Sequence, residues 1–486
     1  MKIISEKEPL EVAIEASTIL YNSVVHTLGP GGLNTAVVSK GDGPYNIIND
    51  GYSIIKDLTS PDAVLAPMLE TLKQASFETN RKAGDGTTST VILTHKLLTG
   101  LHETLTGKEN IVKIKEELYN FRDDFIDILH QQLSRDIKDE DYEKIATVSL
   151  GSPKYATLIA NAYRFLGDNL RPSIIKSDIP NVISEEKDGI VLDKADILFK
   201  EKLDQASKEL VDIDTYVIYD KIDRWQYIQG LVQQIGRMKR KTILFYNELS
   251  IDILENLKYN ILMNGIDIIP IRLGGYGPRL NDIMKEICDY TGSTLIDGIK
   301  VRITDLKNIE IGHLDYAFMS SEQLIINNRG YKPEEGAAIT LPTKSCIIRV
   351  GGTTESERED NYKRIEDAIS SLGNAIDSGI TVGGGISYQR IVESYKDWGK
   401  LPDYIKEAME SIYINVIKNL TGSDKIDPDL NGLLPRNVDS EEAEYEVPDK
   451  LDIWDATKVV EEVIINSFTT VAMVLTTKCI IHNMER

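Results

Sequence analysis

Between residues 8 and 28, apolar side chains recur at mixed three- and four-residue spacing: Leu10, Ile14, Ile19, Leu20 and Val24. The run stops at Gly29-Pro30-Gly31-Gly32, so the pattern predicts an amphipathic helix ended by residues that cannot continue it. Two β-rich runs, 35–38 and 45–48, flank Lys40-Gly41-Asp42-Gly43-Pro44 and predict a hairpin, with Asn49-Asp50-Gly51 closing its second strand. Helical periodicity resumes over 61–81 and again over 88–130. The centre changes character. Short β-rich runs at 215–219, 241–246 and 266–272 alternate with helical text at 223–239 and 251–264, which predicts parallel βαβ units. A further strand is expected at 346–350 and a heavily charged helix at 355–377. The last hundred residues return to helix, broken at 421–435 and by an acidic stretch at 439–452. The order helical, mixed, α/β, mixed, helical fits a multi-domain α and α/β chain whose two ends build one domain.

Composition narrows the function. At 486 residues the chain has room for about three domains. Its net charge of −22 disfavours nucleic acid and anionic membrane surfaces as partners. Cys288, Cys346 and Cys479 are far apart with no Cys-x-x-Cys spacing, so disulfide frameworks and zinc sites are not expected and a reducing cytoplasm is the simplest home. The six histidines never pair at metal-ligand spacing. The first nine residues carry acids and no long apolar run, unlike a signal peptide. Residues 459–481 are apolar but interrupted by Glu461, Glu462, Asn466 and Lys478, so they read as a buried helix and not a membrane span.

The stretch Lys82-Ala83-Gly84-Asp85-Gly86-Thr87-Thr88-Ser89-Thr90 carries the most chemistry. Gly84 and Gly86 let backbone approach a ligand closely, and the helix that follows offers unpaired N–H groups at its start, a phosphate seat. Asp85 would repel a bare phosphate there; it fits if Mg²⁺ lies between them. Taken alone, the stretch also reads as an Asp-Gly turn with an ordinary N-cap.

Five segments in register change that balance: Thr27-Leu28-Gly29-Pro30-Gly31-Gly32-Leu33-Asn34, Asn49-Asp50-Gly51, Gly84-Asp85-Gly86-Thr87-Thr88, Asp367-Ala368 with Gly383-Gly384-Gly385, and Asp455-Ala456-Thr457-Lys458-Val459. In this order and spacing they resemble the nucleotide-binding signature of the chaperonins, with a layout most similar to the bacterial, GroEL-like branch. The resemblance runs over nearly the whole chain; in the centre it is thin and rests on Gly275-Tyr276-Gly277-Pro278-Arg279. It implies a chaperonin fold: a mainly helical equatorial domain split over 1–131 and 378–486, a small α+β intermediate domain from 132–187 and 346–377, and an α/β apical domain at 188–345. It also implies an ATP-hydrolysing folding chaperone in a homo-oligomeric ring, seven-membered and single or double, that takes unfolded polypeptides and works in the cytoplasm.

Carried over residue by residue, the resemblance places Thr27, Leu28, Gly29 and Pro30 against adenosine and the α-phosphate. Thr87, Thr88 and Ser89, after Gly86, would donate to the β- and γ-phosphates. Asp85 would hold Mg²⁺, and Asp50 and Asp367 would orient and polarise the attacking water. Gly384 and its neighbours would let the chain pass close to the nucleotide; Asp455 would take the ribose and Ile453 the base. A potassium site beside Thr27 and Thr88 is also implied. Each aspartate has a plainer reading: Asp50 as a turn former, Asp367 as part of a solvated face with Glu359, Asp360 and Glu366, and Asp455 as a helix cap.

The chain departs from the family in places. Gly31 and Leu33 stand where a lysine and an arginine are usual, and Asn49 stands where the bacterial branch has lysine, removing a cationic contact to phosphate. After Gly330-Tyr331-Lys332-Pro333 the text goes almost directly to the strand near 343–350, a shortened apical domain with no room for a built-in lid. A separate co-chaperonin lid and closure by the apical domains alone both stay open. The final Asn483-Met484-Glu485-Arg486 lacks a Gly-Met tail. A divergent chaperonin fits, and so does a virus-encoded copy acting in host cytoplasm. On the apical helices, Trp225, Ile228, Leu231, Val232 and Ile235, and then Ile251, Ile253, Leu254, Leu257, Tyr259 and Ile261, are candidates for client binding. For most of them, packing onto the sheet is the expected use. The competing function is a ring or scaffold protein acting as an ATP-uncoupled holdase. A metabolic kinase is excluded, because neither a P-loop ending in Gly-Lys-Ser/Thr nor a kinase catalytic set is present.

Overall fold

The computed structural model describes residues 2–4, 8–38, 45–150, 153–167, 170–193, 196–197, 208–273, 277–319, 323–331, 344–423, 432–435, 445–447 and 450–482. The turn at Lys40–Pro44, Gly275 and Tyr276, the stretch from Lys332 to the strand near 344, and the terminal Asn483–Arg486 lie outside them. The chain divides into two compact units, residues 1–161 with 352–486, and residues 162–351. Both chain ends therefore build the first unit.

In the first unit, α1 spans Pro9–Val24 and tightens into a 3₁₀ turn, Val25–Thr27. The strands Thr35–Val38 and Tyr45–Ile48 pair antiparallel as the alternation predicts. Asp50 does more than close the second strand: its carboxylate accepts from the N–H groups of Tyr52 and Ser53 and opens a short helix, α2, Gly51–Lys56. α3 (Leu65–Ala83) and α4 (Thr87–Thr104) follow. The helical text over 88–130 divides into two helices. Leu105 turns extended, Gly107 takes φ +81°, and the Asn110 side chain caps α5 (Ile111–Ile128), which runs on as a π-turn, Leu129–Leu133. α6 (Tyr142–Leu150) follows, and α7 (Ala156–Leu166) carries the chain from the first unit into the second.

The second unit is α/β. The strands Lys208–Ile222, Thr242–Leu249 and Ile268–Arg272 lie parallel and adjacent in an eight-stranded sheet. α8 (Trp225–Met238) and α9 (Ile251–Met263) make the crossovers, and α10 (Gly277–Thr291) follows. Period-2 alternation gives the sheet two apolar faces: Tyr216, Ile218, Leu244 and Tyr246 pack under α8 and α9. Val217, Ile243 and Phe245 pack with Met284 and Ile287 of α10. Ile228, Leu231, Val232 and Ile235 of α8 are buried on the first of these faces, as are Ile253 and Leu257 of α9. Ile251, Tyr259, Leu262 and Met263 stay exposed, at 79%, 60%, 41% and 69%.

The return to the first unit begins with α11 (Glu355–Ser378), whose N-cap is the Thr354 hydroxyl. α12 (Ile386–Ser394), α13 (Asp403–Thr421) and α14 (Thr457–Leu475) join α1, α3, α4 and α5 around one core that includes Leu20, Leu72, Ile92, Phe125, Met409 and Phe468. α14 is largely buried, and no helix among the described residues is long and apolar enough to cross a membrane. The strand Lys2–Ile4 pairs antiparallel with Ile480–His482.

Candidate functional site

The acidic loop is built by two left-handed glycines. α3 ends at Gly84 (φ +65°) and α4 begins after Gly86 (φ +83°), backbone that a side chain would strain. A Cβ on Gly84 would lie 2.4 Å from the Ser370 Cβ, and one on Gly86 2.8 Å from Val459 Cγ1. The loop is thus pressed onto α11 and α14, and it turns Asp85 inward. The Gly86 N–H donates to Asp85 Oδ1 at 2.6 Å, and the Ser371 hydroxyl donates to Oδ2 at 3.0 Å. One turn along α11, Asn374 Nδ2 donates to the Ala83 carbonyl at 2.5 Å. Thr87, Thr88 and Ser89 form the first turn of α4. Gly86 supplies no side-chain cap, so the unpaired N–H groups of that turn are left for an acceptor.

Asp50 and Gly51 are laid against this helix start. A Cβ on Gly51 would come 2.4 Å from Thr88 Oγ1 and 3.0 Å from Thr87 Oγ1. Thr27 Oγ1 lies 3.4 Å from Thr88 Oγ1 and donates to the Val24 carbonyl at 2.8 Å. Beyond it, Leu28 is half-buried while Gly29 and Pro30 are exposed. Asn419 of α13 fixes the entry to this loop by donating to the carbonyls of Val25 and Leu28, both at 2.9 Å.

The opposite wall is the antiparallel pair Ile380–Val382 and Trp454–Ala456, with Thr381 opposite Asp455. Gly383 follows, its N–H on the Ile453 carbonyl at 2.9 Å. A Cβ there would lie 2.9 Å from Asp455 Oδ1 and 3.0 Å from Ile453 Cγ2. Gly384 (φ +68°) lies against Leu434, and Gly385 (φ +82°) starts α12, so the triple glycine is a close-packed turn. Leu28 and Ile453 both pack against the small cluster of Val382, Tyr413, Val416 and Leu434. Asp455 does not cap α14, whose N-terminal flank is Ala456.

Electrostatically Asp85 is the common neighbour: Asp367 and Asp455 both feel its charge, and Asp50 acts on Asp85 and Asp367. Burial pushes the Asp367 carboxyl well above the usual carboxylate range, and the charges of Asp85, Asp50 and Glu366 push it further; Lys363 opposes them. Burial also raises Asp85, assisted by Asp50 and opposed by the Gly86 N–H and the Ser371 hydroxyl. Burial, with Asp85 adding to it, raises Asp455 to about 7. The phenol of buried Tyr388 is raised by burial and by Asp455 and Asp85. Carboxylates sharing a pocket resist common ionisation until a cation joins them. Among the described residues no three or more His, Cys, Asp or Glu groups could hold a metal by themselves. One carboxylate completed by water and phosphate oxygens is the habit of Mg²⁺, and Asp85 fits that role.

Sequence reasoning missed Ser371, Asn374, Lys363, Asn419 and Tyr388. The first three share a signal with Asp367: residues 363, 367, 371 and 374 recur at helical spacing and form a polar stripe on α11.

Comparison with known proteins agrees with this geometry. Residues 20–170 match the model of the TCP-1/cpn60 chaperonin family. The chain is 23% identical to chaperonin GroEL of onion yellows phytoplasma (strain OY-M), over 100% of this chain and 97% of that protein. It is 25% identical to chaperonin GroEL of Ehrlichia canis (strain Jake), over 88% of this chain and 85% of that protein. Its fold matches the crystal structure of the chaperonin gp146 from the bacteriophage EL 2 (Pseudomonas aeruginosa) in the presence of ATP-BeFx. There the TM-score is 0.70 at 16% identity, covering 99% of this chain and 100% of that one. Residues 20–170 carry the TCP-1/cpn60 chaperonin family match, and the chain as a whole has the chaperonin fold and is similar over its length to GroEL proteins.

Proposed function

We propose that this chaperonin binds MgATP at the start of α4, hydrolyses it, and uses the cycle to fold captured polypeptides inside a homo-oligomeric ring. The observation that carries the reading is the meeting of Asp50, Asp85, Asp367 and Asp455 around a helix N-terminus with no side-chain cap. Thr87, Thr88, Ser89 and the α4 amides take the phosphates. Thr27, Leu28, Gly29 and Pro30 line one side of the nucleotide. Gly384, Ile453 and Asp455 receive ribose and base on the other, where the Gly383 turn leaves no room for a side chain. Asp85 would hold Mg²⁺, which when bound would neutralise charge on the phosphoryl group as it transfers. K⁺ fits beside the hydroxyls of Thr27 and Thr88.

Asp50 already directs both carboxylate oxygens at backbone N–H groups, which holds it rigidly for orienting water. Asp367 has the environment of a general base: burial and neighbouring acids make its carboxylate more basic than an exposed one. Water gives its proton to Asp367 as its oxygen bonds the γ-phosphorus, and the bond to the ADP oxygen breaks.

The proposed division follows the boundaries set out above: equatorial 1–131 and 378–486, intermediate 132–187 and 346–377, apical 188–345. The ring is seven-membered, in one or two layers, and works in the cytoplasm. Client capture is assigned to Ile251, Tyr259, Leu262 and Met263, whose exposure on one helix supports contact with unfolded chains.

The test is the native yield of a denatured, aggregation-prone enzyme diluted into this protein with and without MgATP, first with no lid protein and then with a bacterial-type lid. ATP-dependent recovery is expected in at least one arm. Capture in both with recovery in neither would establish the holdase instead. Asp367→Ala should lower ATP turnover by a hundredfold or more while leaving nucleotide bound, a typical contribution for general-base catalysis. Unchanged turnover would remove the assignment.

A further inference from the structure

The stripe on α11 has a direction. At its C-terminal end, Asn374 meets Ala83, Ser371 meets Asp85 and Ser370 meets Gly84. Next along the same face comes Asp367, within electrostatic reach of Asp85 and Asp50. Lys363 lies one further turn toward the N-terminus, about 6 Å along the axis for four residues. α11 also packs against the strand Tyr45–Ile48, which leads through Asn49 into Asp50. The Lys363 ammonium is half-buried, feels both Asp50 and Asp367, and is held by Glu366 Oε2 at 2.7 Å. Two other lysines of this region, Lys82 and Lys458, pair with Glu462. Asn49, beside Asp50, carries no charge.

We infer that Lys363 is a phosphate-contacting cation of this site, exchanging Glu366 for the terminal phosphate of bound ATP. The inference rests on the nucleotide reading above and assigns a residue on α11 the countercharge that Asn49 cannot supply. The exchange is chemically favoured. A phosphate oxygen accepts from an ammonium more strongly than a half-exposed carboxylate one turn away, whose pairing with lysine contributes little. Because Lys363 and Asp367 share one helix face, any movement of α11 carries the cation and the base together. Lys363 therefore favours the arrangement in which Asp367 faces the terminal phosphate.

The experiment uses the full chain and measures equilibrium binding of MgATP and MgADP together with ATP turnover. Lys363→Met is expected to weaken MgATP by about tenfold and MgADP by much less, as for loss of one charge-assisted contact to the terminal phosphate. Lys363→Arg should recover most of the loss. Equal MgATP binding and turnover in Lys363→Met and the unmodified protein would overturn the inference and leave the nucleotide site standing. An unmodified protein that binds no MgATP would instead overturn the nucleotide site itself. Should the methionine variant fail to fold, Glu366→Gln decides. Released from its partner, Lys363 should tighten MgATP two- to threefold, and unchanged or weaker binding counts against the inference.

Discussion

The Ser371 hydroxyl, itself buried, donates to Oδ2 of Asp85 across 3.0 Å and so ties the expected metal ligand to the helix that carries Asp367. The two residues are far apart in sequence, and this bond, together with the Gly86 N–H on Oδ1, orients the Asp85 carboxylate.

Ser371→Ala should therefore weaken the Mg²⁺ dependence of nucleotide binding. Removing an outer partner of a metal ligand typically costs 10- to 100-fold in affinity, and about tenfold is expected here. The check is a Mg²⁺ titration of nucleotide binding; an unchanged midpoint would show that the Gly86 N–H orients Asp85 unaided.

Gly51→Ala tests the close approach of α2 to α4. Alanine is the better helix former by about 1 kcal/mol, yet its Cβ would meet Thr88 Oγ1 at 2.4 Å. The clash should win, at about 1–3 kcal/mol of stability, and displace the threonines proposed to receive phosphate. A lowered melting temperature together with lost nucleotide binding is expected, and a more stable variant would contradict the packing.

His95 gives the first unit a specific acid sensitivity. It is buried, with Nδ1 3.0 Å from Ser17 Oγ and its ring 4.6 Å from that of Tyr21. Burial, and secondarily the charge of Lys96, pushes its pKa down from 6.5 to about 4. The unfolded chain then binds the extra proton first, so the contribution of neutral His95 is whole above about pH 6.5 and is lost as pH falls toward 4. His95→Gln should flatten that part of the melting-temperature profile between pH 7 and 4.5. Parallel profiles would show that carboxylates alone set the acid limb.

The exposed apolar residues of α9 make a prediction about clients. Replacing Ile251, Tyr259 and Met263 together by serine should leave the melting temperature nearly unchanged, because surface changes are usually within about 0.5 kcal/mol each. Capture of a denatured enzyme should fall several-fold, read as light scattering from its aggregation. Replacing buried Ile253 and Leu257 should unfold the unit instead.

Much of the architecture is written locally. The three- and four-residue spacing before Gly29 is α1, and the alternation of β-rich runs with helical text at 215–272 is the parallel sheet with α8 and α9. Period is a property of neighbouring residues, so it survives in one dimension. Short elements escape it: α2 has only six residues and exists because Asp50 caps it, and the break after Thr104 depends on Gly107 and Asn110. Asp50, Asp85, Asp367 and Asp455 could be picked out because each sits in a short recognisable string. That Asp85 and Asp367 feel the charge of Asp50, and Asp455 that of Asp85, is a matter of tertiary structure.

Partners distant in sequence left no mark in the chain's periodicity. Nothing near Ser371 announces Asp85, nothing near Asn419 announces the carbonyls of Val25 and Leu28, and the strand Lys2–Ile4 finds Ile480–His482 only when the chain returns. The sequence by itself determined the helices, the βαβ core and the residue types able to hold a nucleotide, because propensity and hydrophobic period act over a few residues. The tertiary structure alone decided which carboxylates feel one another, which glycines have no room for a Cβ, and which apolar residues of α9 stay exposed. Those are set by burial, and burial belongs to the packed chain.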